Sequence, residues 1–225
     1  MCVSRRLVPF FAVGVLGMLL WGCGRGPDYV AQPEPWREQE ERACLVSGHV
    51  REQPWLQTRQ SLGGPGSYCG AMKPFEMAGA ADGRVQMRPP AMLRCNMIPS
   101  VERWVRQTVE PEARRHFGVP LAELKVAASY GCRPRNNQAG AKLSEHGHAN
   151  AIDISSFTLA NGYVITVKGG WHGDNRDRAF LRAIHAGACR EFTTILGPEA
   201  DAFHQDHFHL DLARHGRSGN DVICR

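Results

Sequence analysis

The sequence lacks several features that would assign it to common classes of protein. It contains no C-x-x-C pair, which argues against a zinc cluster built from cysteines. It has no internal repeat and no low-complexity tract, and its 225 residues suffice for one globular domain with extensions. The net charge is only +5, and it falls by two charges to +3 if Arg5 and Arg6 are removed with a leader. Such an excess is too small to predict nucleic-acid binding.

An apolar run near the N-terminus is too short to span a membrane but suits export. The run Leu7–Trp21 falls short of the roughly 20 apolar residues that a membrane span needs, and it has the length of a signal-peptide core. It ends in Leu20–Cys23, which resembles the lipobox of bacterial lipoproteins. We therefore predict a signal peptide over residues 1–22, lipidation of Cys23 and a polar tether over residues 23–41. An ordinary secretory signal that is cleaved nearby is the alternative.

The remaining cysteines also indicate an exported protein. With Cys2 in the signal peptide and Cys23 lipidated, an even number remains, spread widely along the chain. In an oxidising compartment they would form three disulfides, and the sequence leaves the pairing open. Because glycine rather than aspartate follows the lipobox cysteine, we expect a bacterial envelope protein at the outer membrane, facing the periplasm. The six cysteines are Cys44, Cys69, Cys95, Cys132, Cys189 and Cys224.

Hydrophobic periodicity predicts a mixed fold. Apolar positions from Val101 to Val109 share one helix face, and Pro111 is expected to end or kink that helix. Asn161-Gly162 between apolar flanks predicts a hairpin over residues 158–167. The other predicted elements are irregular structure with short strands over 44–95, strands over 124–130, 149–155 and 207–212, and a helix over 180–195 closed by Gly197-Pro198. Helices flanking a small antiparallel sheet place the chain in the α+β class.

Five of the ten histidines lie in two short clusters, residues 144–153 and 204–211. On a strand, alternation puts His207, His209 and Asp211 on one face and turns the apolar residues between them toward the core. Two imidazoles on a rigid element, with Asp153 on a second predicted strand, are a donor set that zinc prefers. A single His-x-His pair has little meaning, so the joint occurrence carries the prediction.

The span from Cys44 to Arg225 resembles the extensin-like C-terminal domain proteins of bacteria, so we assign residues 42–225 to such a domain. That family is similar to the LAS metallopeptidases, which include D-Ala-D-Ala carboxypeptidases and penicillin-insensitive murein endopeptidases. Those enzymes carry the motif S-x-H-x-x-G-x-A-x-D and a later H-x-H. The segments that carry the resemblance are Ser129–Arg133, Ser144–Asp153, Leu196–Pro198, His204–Asp211 and Cys224-Arg225.

The resemblance implies a zinc site with His146, Asp153 and His209 as ligands and water in the fourth position. His207 would orient the water or stabilise an oxyanion, and His204 would assist proton transfer.

Other residues near the motifs have two interpretations each. Arg133 is a candidate for gripping a substrate carboxylate, or else forms a surface salt bridge. Glu145 adjoins a ligand as a possible base or is a solvated side chain, and His148 either supports the site or is exposed. Asp206 and Asp211 are candidates to hold a ligand histidine, with Asp211 preferred by strand alternation.

The sequence departs from the motif at one position, where Ala149 replaces its glycine and reduces backbone freedom. Two functions are compatible with these residues. The first is a zinc peptidase that acts on peptidoglycan peptides, at D-Ala cross-links or termini. The second is a non-catalytic envelope module that binds wall peptides and retains a zinc site.

Overall fold

The structure is a computed structural model that describes residues 28–64 and 66–225. The predicted signal peptide and the lipidation site Cys23 lie outside the described residues. None of the helices in the described ranges is long and apolar enough to cross a membrane.

One mostly antiparallel sheet of nine strands organises the described chain. Its order is β1-β2-β3-β4-β5-β8-β7-β9, with β6 pairing with β5, and only the pairs β3–β4 and β7–β9 are parallel. The strands are β1 Leu56–Thr58, β2 Phe75–Ala80, β3 Val85–Leu93, β4 Leu121–Ala128, β5 Ala151–Leu159, β6 Val164–Thr166, β7 Thr194–Leu196, β8 Phe208–Asp211 and β9 Ile223–Cys224. The helices are α1 Pro35–Ser47, α2 Met97–Trp104, α3 Glu110–Phe117, α4 Val167–Gly170 and α5 Asn175–Ala188. The α+β class with helices flanking an antiparallel sheet is thus confirmed, although the sheet is larger than predicted.

The core lies where α2, α3 and α5 pack against the sheet. Phe157 of β5 meets the ring of Phe180 edge-on at 5.5 Å between centroids, and both rings are fully buried. Trp104 is also buried, and its indole N–H donates to the carbonyl of Ile184 at 2.9 Å. This hydrogen bond satisfies a polar group that would otherwise be buried without a partner. Trp104 and Phe180 therefore fix α2 and α5 to β5, the strand that also carries Asp153.

The helix predicted around Val101–Val109 forms, but Pro111 does not end it. The chain passes from α2 through a π-helical turn, Val105–Val109, directly into α3. Proline has no N–H to donate and its ring crowds the preceding turn, and the wider turn just before Pro111 accommodates both effects.

The helix predicted over residues 180–195 begins and ends too late, and Gly197-Pro198 follows a strand rather than closing the helix. Residues 175–188 form α5, whereas Phe192 lies beyond the helix and Ile195 belongs to β7. Both side chains are buried. Their spacing therefore continues the apolar pattern of the helix, although the chain has already left the helix and returned to the sheet. The hairpin at Asn161-Gly162 is confirmed, since Ser156 pairs with Thr166 across β5 and β6.

Part of the segment predicted as a tether is structured. Residues 35–41 form the first half of α1, and Arg37 and Glu41 are buried against the domain. Arg37 makes a paired contact with Glu145, with both N–O distances at 2.6 Å, and Arg94 contacts Glu41 at 3.1 Å. Charged side chains rather than an apolar stripe attach this first half of the helix, which explains why the composition suggested a solvated tether.

The three predicted disulfides are present, and the structure supplies their pairing. Cys44 bonds to Cys95, Cys69 to Cys132 and Cys189 to Cys224. The first fastens α1 to the chain after β3, and the last fastens the end of α5 to β9.

Candidate metal centre

The pairing of β5 with β8 builds the centre of the site. The register sets Asp153 opposite His209, and Ala151 opposite Asp211. Phe208 and Leu210, which alternate with His209 and Asp211, are fully buried in the core. The predicted alternation therefore holds for His209 and Asp211, which turn to the face that Asp153 shares. It does not apply to His207, which lies just before the strand rather than in it.

A tight turn before β5 delivers the second histidine. His146 lies in a 3₁₀ turn, Glu145–His148, and its backbone N–H donates to the Ser144 hydroxyl at 3.4 Å. The turn closes at Ala149, whose φ of +51° is in the left-handed region. The imidazole Nδ1 of His146 lies 2.5 Å from the carbonyl of Ser129, so this nitrogen is the donor and Nε2 keeps its lone pair.

Three ligating atoms converge on one point. His146 Nε2 lies 3.1 Å from Asp153 Oδ2, His209 Nδ1 lies 2.9 Å from Asp153 Oδ1, and the two nitrogens are 3.2 Å apart. Two imidazoles and one carboxylate fit zinc, whose catalytic sites use three protein ligands and leave a fourth position for water. In the described ranges, the other group with ligating spacing is His185, Cys189 and Cys224, and its two cysteines are consumed by a disulfide.

The electrostatics of the cluster favour a cation between these groups. Burial on its own raises the pKa of Asp153, but the contacts with His146 and His209 outweigh burial and hold that pKa well below its ordinary range. Burial lowers the pKa of His209, but Asp153 and Asp211 outweigh it and raise the pKa to about 10. A buried carboxylate pair therefore holds a positive charge at His209, and a bound metal ion would replace the proton that carries it.

A cavity of about 380 Å³ opens over these atoms. His207 Nε2 lies 3.8 Å from Asp153 Oδ2, and the Arg133 guanidinium approaches the same oxygen at 3.9 Å. His204 is buried beside them, with its ring 5.3 Å from that of His207 and its Nδ1 2.7 Å from Asp201 Oδ1. Burial lowers the pKa of His204 and outweighs the contact with Asp201. The structure thus brings together all of the site residues expected in the domain: the three expected ligands, His204, His207 and Arg133.

Two neighbouring residues do not take part in the way considered for them. Glu145 is neither a base nor solvated, because it is buried and bound by Arg37 and by the Asn150 amide at 2.7 Å. His148 lines neighbouring cavities with Arg37 rather than the one over the ligands. Burial, with help from the charges of Arg37 and Arg94, lowers its pKa to about 3, so it is neutral.

The two candidate aspartates each hold a different histidine. Asp211 Oδ2 lies 2.9 Å from His209 Nε2, as strand alternation predicted, and Asp206 Oδ1 lies 2.8 Å from His207 Nδ1. Sequence reasoning missed the carbonyl of Ser129 and the carboxylate of Asp201. A backbone acceptor leaves no trace in the sequence, whereas Asp201, three residues before His204, was visible as a carboxylate beside the second cluster.

These features define an α+β domain in which two strands and a tight turn present a His–Asp–His group at the floor of an open cavity. The family model for the extensin-like protein C-terminus matches residues 42–225, and the chain belongs to that family. No curated protein and no solved structure matched the chain.

Proposed function

We propose that this protein is a zinc-dependent peptidase of the bacterial envelope that acts on peptidoglycan peptides. The observation that carries the proposal is the convergence of His146 Nε2, an Asp153 carboxylate oxygen and His209 Nδ1 beneath an open cavity. The motif resemblance to the LAS carboxypeptidases and endopeptidases supports the choice of substrate, and the proposal includes a relation to those enzymes.

The residues around the ligands divide the work of peptide hydrolysis. Zinc, when bound, lowers the pKa of a water and polarises a carbonyl. Arg133 presents its guanidinium beside the ligands, where it binds a carboxylate of the peptide. His207 donates through Nδ1 to Asp206 and directs Nε2 toward the cavity, where the neutral ring accepts from a water and orients it, or the protonated ring donates to the developing oxyanion. His204, kept neutral by burial, accepts or returns a proton.

The alternative is a non-catalytic module that binds wall peptides through the same cavity. It is favoured by the state of Glu145, because the carboxylate next to ligand His146 is committed to Arg37 and cannot serve as a base. Digestion of muropeptides analysed by mass, together with zinc content, separates the two functions. Peptide bonds cut by zinc-loaded protein support the peptidase, and zinc binding without cleavage supports the module.

Two histidine variants separate a ligand from a neighbour. His209→Ala leaves two protein ligands, so we expect the loss of most zinc affinity. His207→Ala removes a side chain that is not one of the proposed ligands and whose Nε2 lies 3.8 Å from Asp153 Oδ2. We therefore expect nearly full zinc occupancy and lower turnover. Metal analysis by mass spectrometry on both purified variants is the measurement. Full zinc occupancy in His209→Ala would exclude the proposed centre.

We also propose that the domain is held at the outer membrane by a lipid on Cys23 and faces the periplasm. The support is the apolar run that closes on Leu20–Cys23. Intact mass of the membrane-extracted protein should show acyl groups at Cys23, and a soluble product that starts elsewhere would refute the anchor.

A further inference from the structure

Two cavities adjoin at the wall of the candidate metal centre. The cavity of about 380 Å³ over the ligating atoms shares part of its lining with a second cavity of about 300 Å³. The residues common to both are Arg135, Glu145, Ala213 and His215. Each volume alone lies toward the low end of the range of about 300–1,000 Å³ that is typical of ligand sites. Together the two cavities form one groove, which suits a chain that extends beyond the residues at the metal centre.

Main-chain hydrogen bonds hold two cationic residues side by side along this groove. The N–H of Arg135 donates to the carbonyl of Lys142 at 2.8 Å, and a bridge between Pro134 and Leu143 continues this pairing. Lys142 also pairs with Val30, in the segment before α1, where the N–H of Leu143 donates to the carbonyl of Val30 at 2.8 Å. Both residues line the second cavity, and Arg135 also lines the first. The backbone therefore places Arg135 where the two cavities meet and Lys142 beside it.

The charges along the second cavity leave these two cations without a carboxylate. The acidic residues that line it are Glu34 and Glu145, and both are bound by Arg37. Arg135 and Lys142 are exposed, and neither makes an ion pair with another residue of the described chain. An anionic group in the groove therefore meets two positive charges that no protein carboxylate neutralises, and it can accept charge-assisted hydrogen bonds from both.

The turn that follows Arg135 adds groups that suit a peptide. Asn136 and Asn137 have φ values of +56° and +55°, in the left-handed region that asparagine adopts more readily than most residues. Both line the cavity over the ligating atoms. A side-chain amide donates and accepts hydrogen bonds, as the peptide group does, so the turn offers partners for a peptide backbone beside the cations.

We propose that Arg135 and Lys142 are specificity-determining residues, which bind a carboxylate of an acidic peptide at a distance from the bond that is cut. The inference rests on the proposed function, because it extends the same site. Arg133 and the proposed ligands hold the part of the peptide next to that bond, and the second cavity receives the remainder. The preferred substrate is then a peptide of several residues with a carboxylate in that remainder, rather than a dipeptide or a neutral peptide.

The test measures the binding of two fluorescently labelled pentapeptides that end in D-Ala-D-Ala. One has free carboxylates on its other residues, and in the second these carboxylates are amidated. Fluorescence anisotropy gives the affinity of each for the purified protein, with and without added zinc. Because exposed ion pairs are weak, we expect the native protein to bind the acidic peptide about fivefold more tightly than the amidated one.

Variants assign this preference to the two cations. The double variant Arg135→Gln with Lys142→Gln should bind both peptides as weakly as the native protein binds the amidated one. Lys125→Gln is the matched control, because Lys125 is an exposed cation of β4 that lines neither cavity, and it should keep the preference. Arg135→Lys keeps the charge and should retain most of the preference, which a purely structural role of the arginine would not predict.

The outcomes separate this inference from the proposed function. Equal affinities of the native protein for the two peptides, no binding of either, or a preference that survives in the double variant would each overturn the inference. Cleavage of both peptides without a preference would leave the peptidase intact. A preference that the double variant loses, without cleavage of either peptide by zinc-loaded protein, would support the groove and contradict the peptidase.

Discussion

At the scale of single residues, Ala149 is a position where the backbone of the site is strained. It is fully buried and has a φ of +51°, a conformation in which the methyl group crowds the backbone. Its carbonyl accepts from Arg94 N–H at 2.8 Å, and its N–H donates to His146 at 3.1 Å. The left-handed turn therefore sets the direction in which the chain leaves His146 and enters β5.

Substitutions at Ala149 should show this constraint. Ala149→Gly relieves about 1–2 kcal/mol of steric cost but loses a buried methyl group and gains unfolded-state entropy, so we expect stability within about 1 kcal/mol of the native protein. Ala149→Val adds a branched side chain to a full core in the same conformation and should lose at least about 2 kcal/mol. Urea unfolding of both variants measures the difference. A valine variant as stable as the glycine variant would contradict the proposed strain.

His185 gives a prediction about pH. Burial lowers its pKa, and Nε2 lies 3.1 Å from the carbonyl of Arg225, an arrangement that suits a neutral ring that donates. As pH falls through about 6.5, the unfolded chain takes up a proton on this histidine, whereas the folded chain takes it up only at lower pH. The free energy of unfolding should therefore decrease toward acid pH. His185→Gln keeps a donor without titrating, so its unfolding curves at about pH 7 and pH 5 should differ less than those of the native protein. An equal difference would assign the acid sensitivity to other groups.

The residues of the centre could be predicted partly from strand alternation and partly from the motif resemblance, which supplied His146, a residue in a 3₁₀ turn rather than in a strand. Strand alternation alone was sufficient to place His209 and Asp211 on one face. The partners of Glu145 could not be predicted in the same way. Arg37 lies 108 positions away in sequence, and no local period links an arginine in a polar segment to a buried carboxylate.

At the scale of secondary-structure elements, the first half of α1 is attached largely through charge. Arg37 is 8 % exposed, and its guanidinium both pairs with Glu145 and lies 4.4 Å from the Trp36 ring centre. The helix thereby contacts the residue next to ligand His146. The chain that leads from the predicted anchor thus touches the wall of the candidate site.

The attachment can be tested with two arginines of the same helix. Arg37→Met leaves Glu145 buried without its main partner and should cost about 3–5 kcal/mol. Arg42 pairs with Glu38 in an exposed position, with side chains 64 % and 63 % exposed, so Arg42→Met should cost no more than about 0.5 kcal/mol. Adding Glu145→Gln to Arg37→Met should recover much of the loss, because it removes the unpaired charge. Equal losses in the two single variants, measured by urea unfolding, would show that burial of the pair has no energetic importance.

Elements with one buried face were easier to predict than their ends. The apolar periods located the helices, but they did not show that α5 stops at Ala188, since Phe192 and Ile195 enter the same core from a loop and a strand. Pro111 is a related case, because the helix continues past it instead of ending there. A proline is disfavoured inside an α-helical ladder, but the π turn before it lets α3 continue.

At the scale of the whole molecule, the sheet fixes the proposed ligands Asp153 and His209, the turn before β5 fixes His146, and a disulfide fixes the wall of the cavity. Cys132 immediately precedes Arg133, and it is bonded to Cys69 in a loop that also contacts the turn of His146 through a 2.7 Å hydrogen bond from Gly70 to Gly147. Residues 129–144 contain little regular structure apart from a short 3₁₀ turn. The cross-link therefore holds a segment that secondary structure alone leaves weakly restrained.

Removal of this cross-link should act locally as well as globally. Cys69→Ala with Cys132→Ala opens a 63-residue separation, and chain entropy predicts a loss of about 4 kcal/mol as an upper value. The matched control, Cys189→Ala with Cys224→Ala, opens a 35-residue separation and should cost a similar amount. Only the variant that lacks Cys69 and Cys132 should show faster hydrogen exchange across residues 130–144, because only that disulfide ties this segment to the loop of Cys69. Zinc affinity should be unchanged in the control variant and should fall modestly in the first variant, because β5 and β8 still hold Asp153 and His209 whereas the turn of His146 contacts the released loop. Equal exchange in the two variants would show that the wall is held by its own hydrogen bonds, such as that from Ser144 to Arg133.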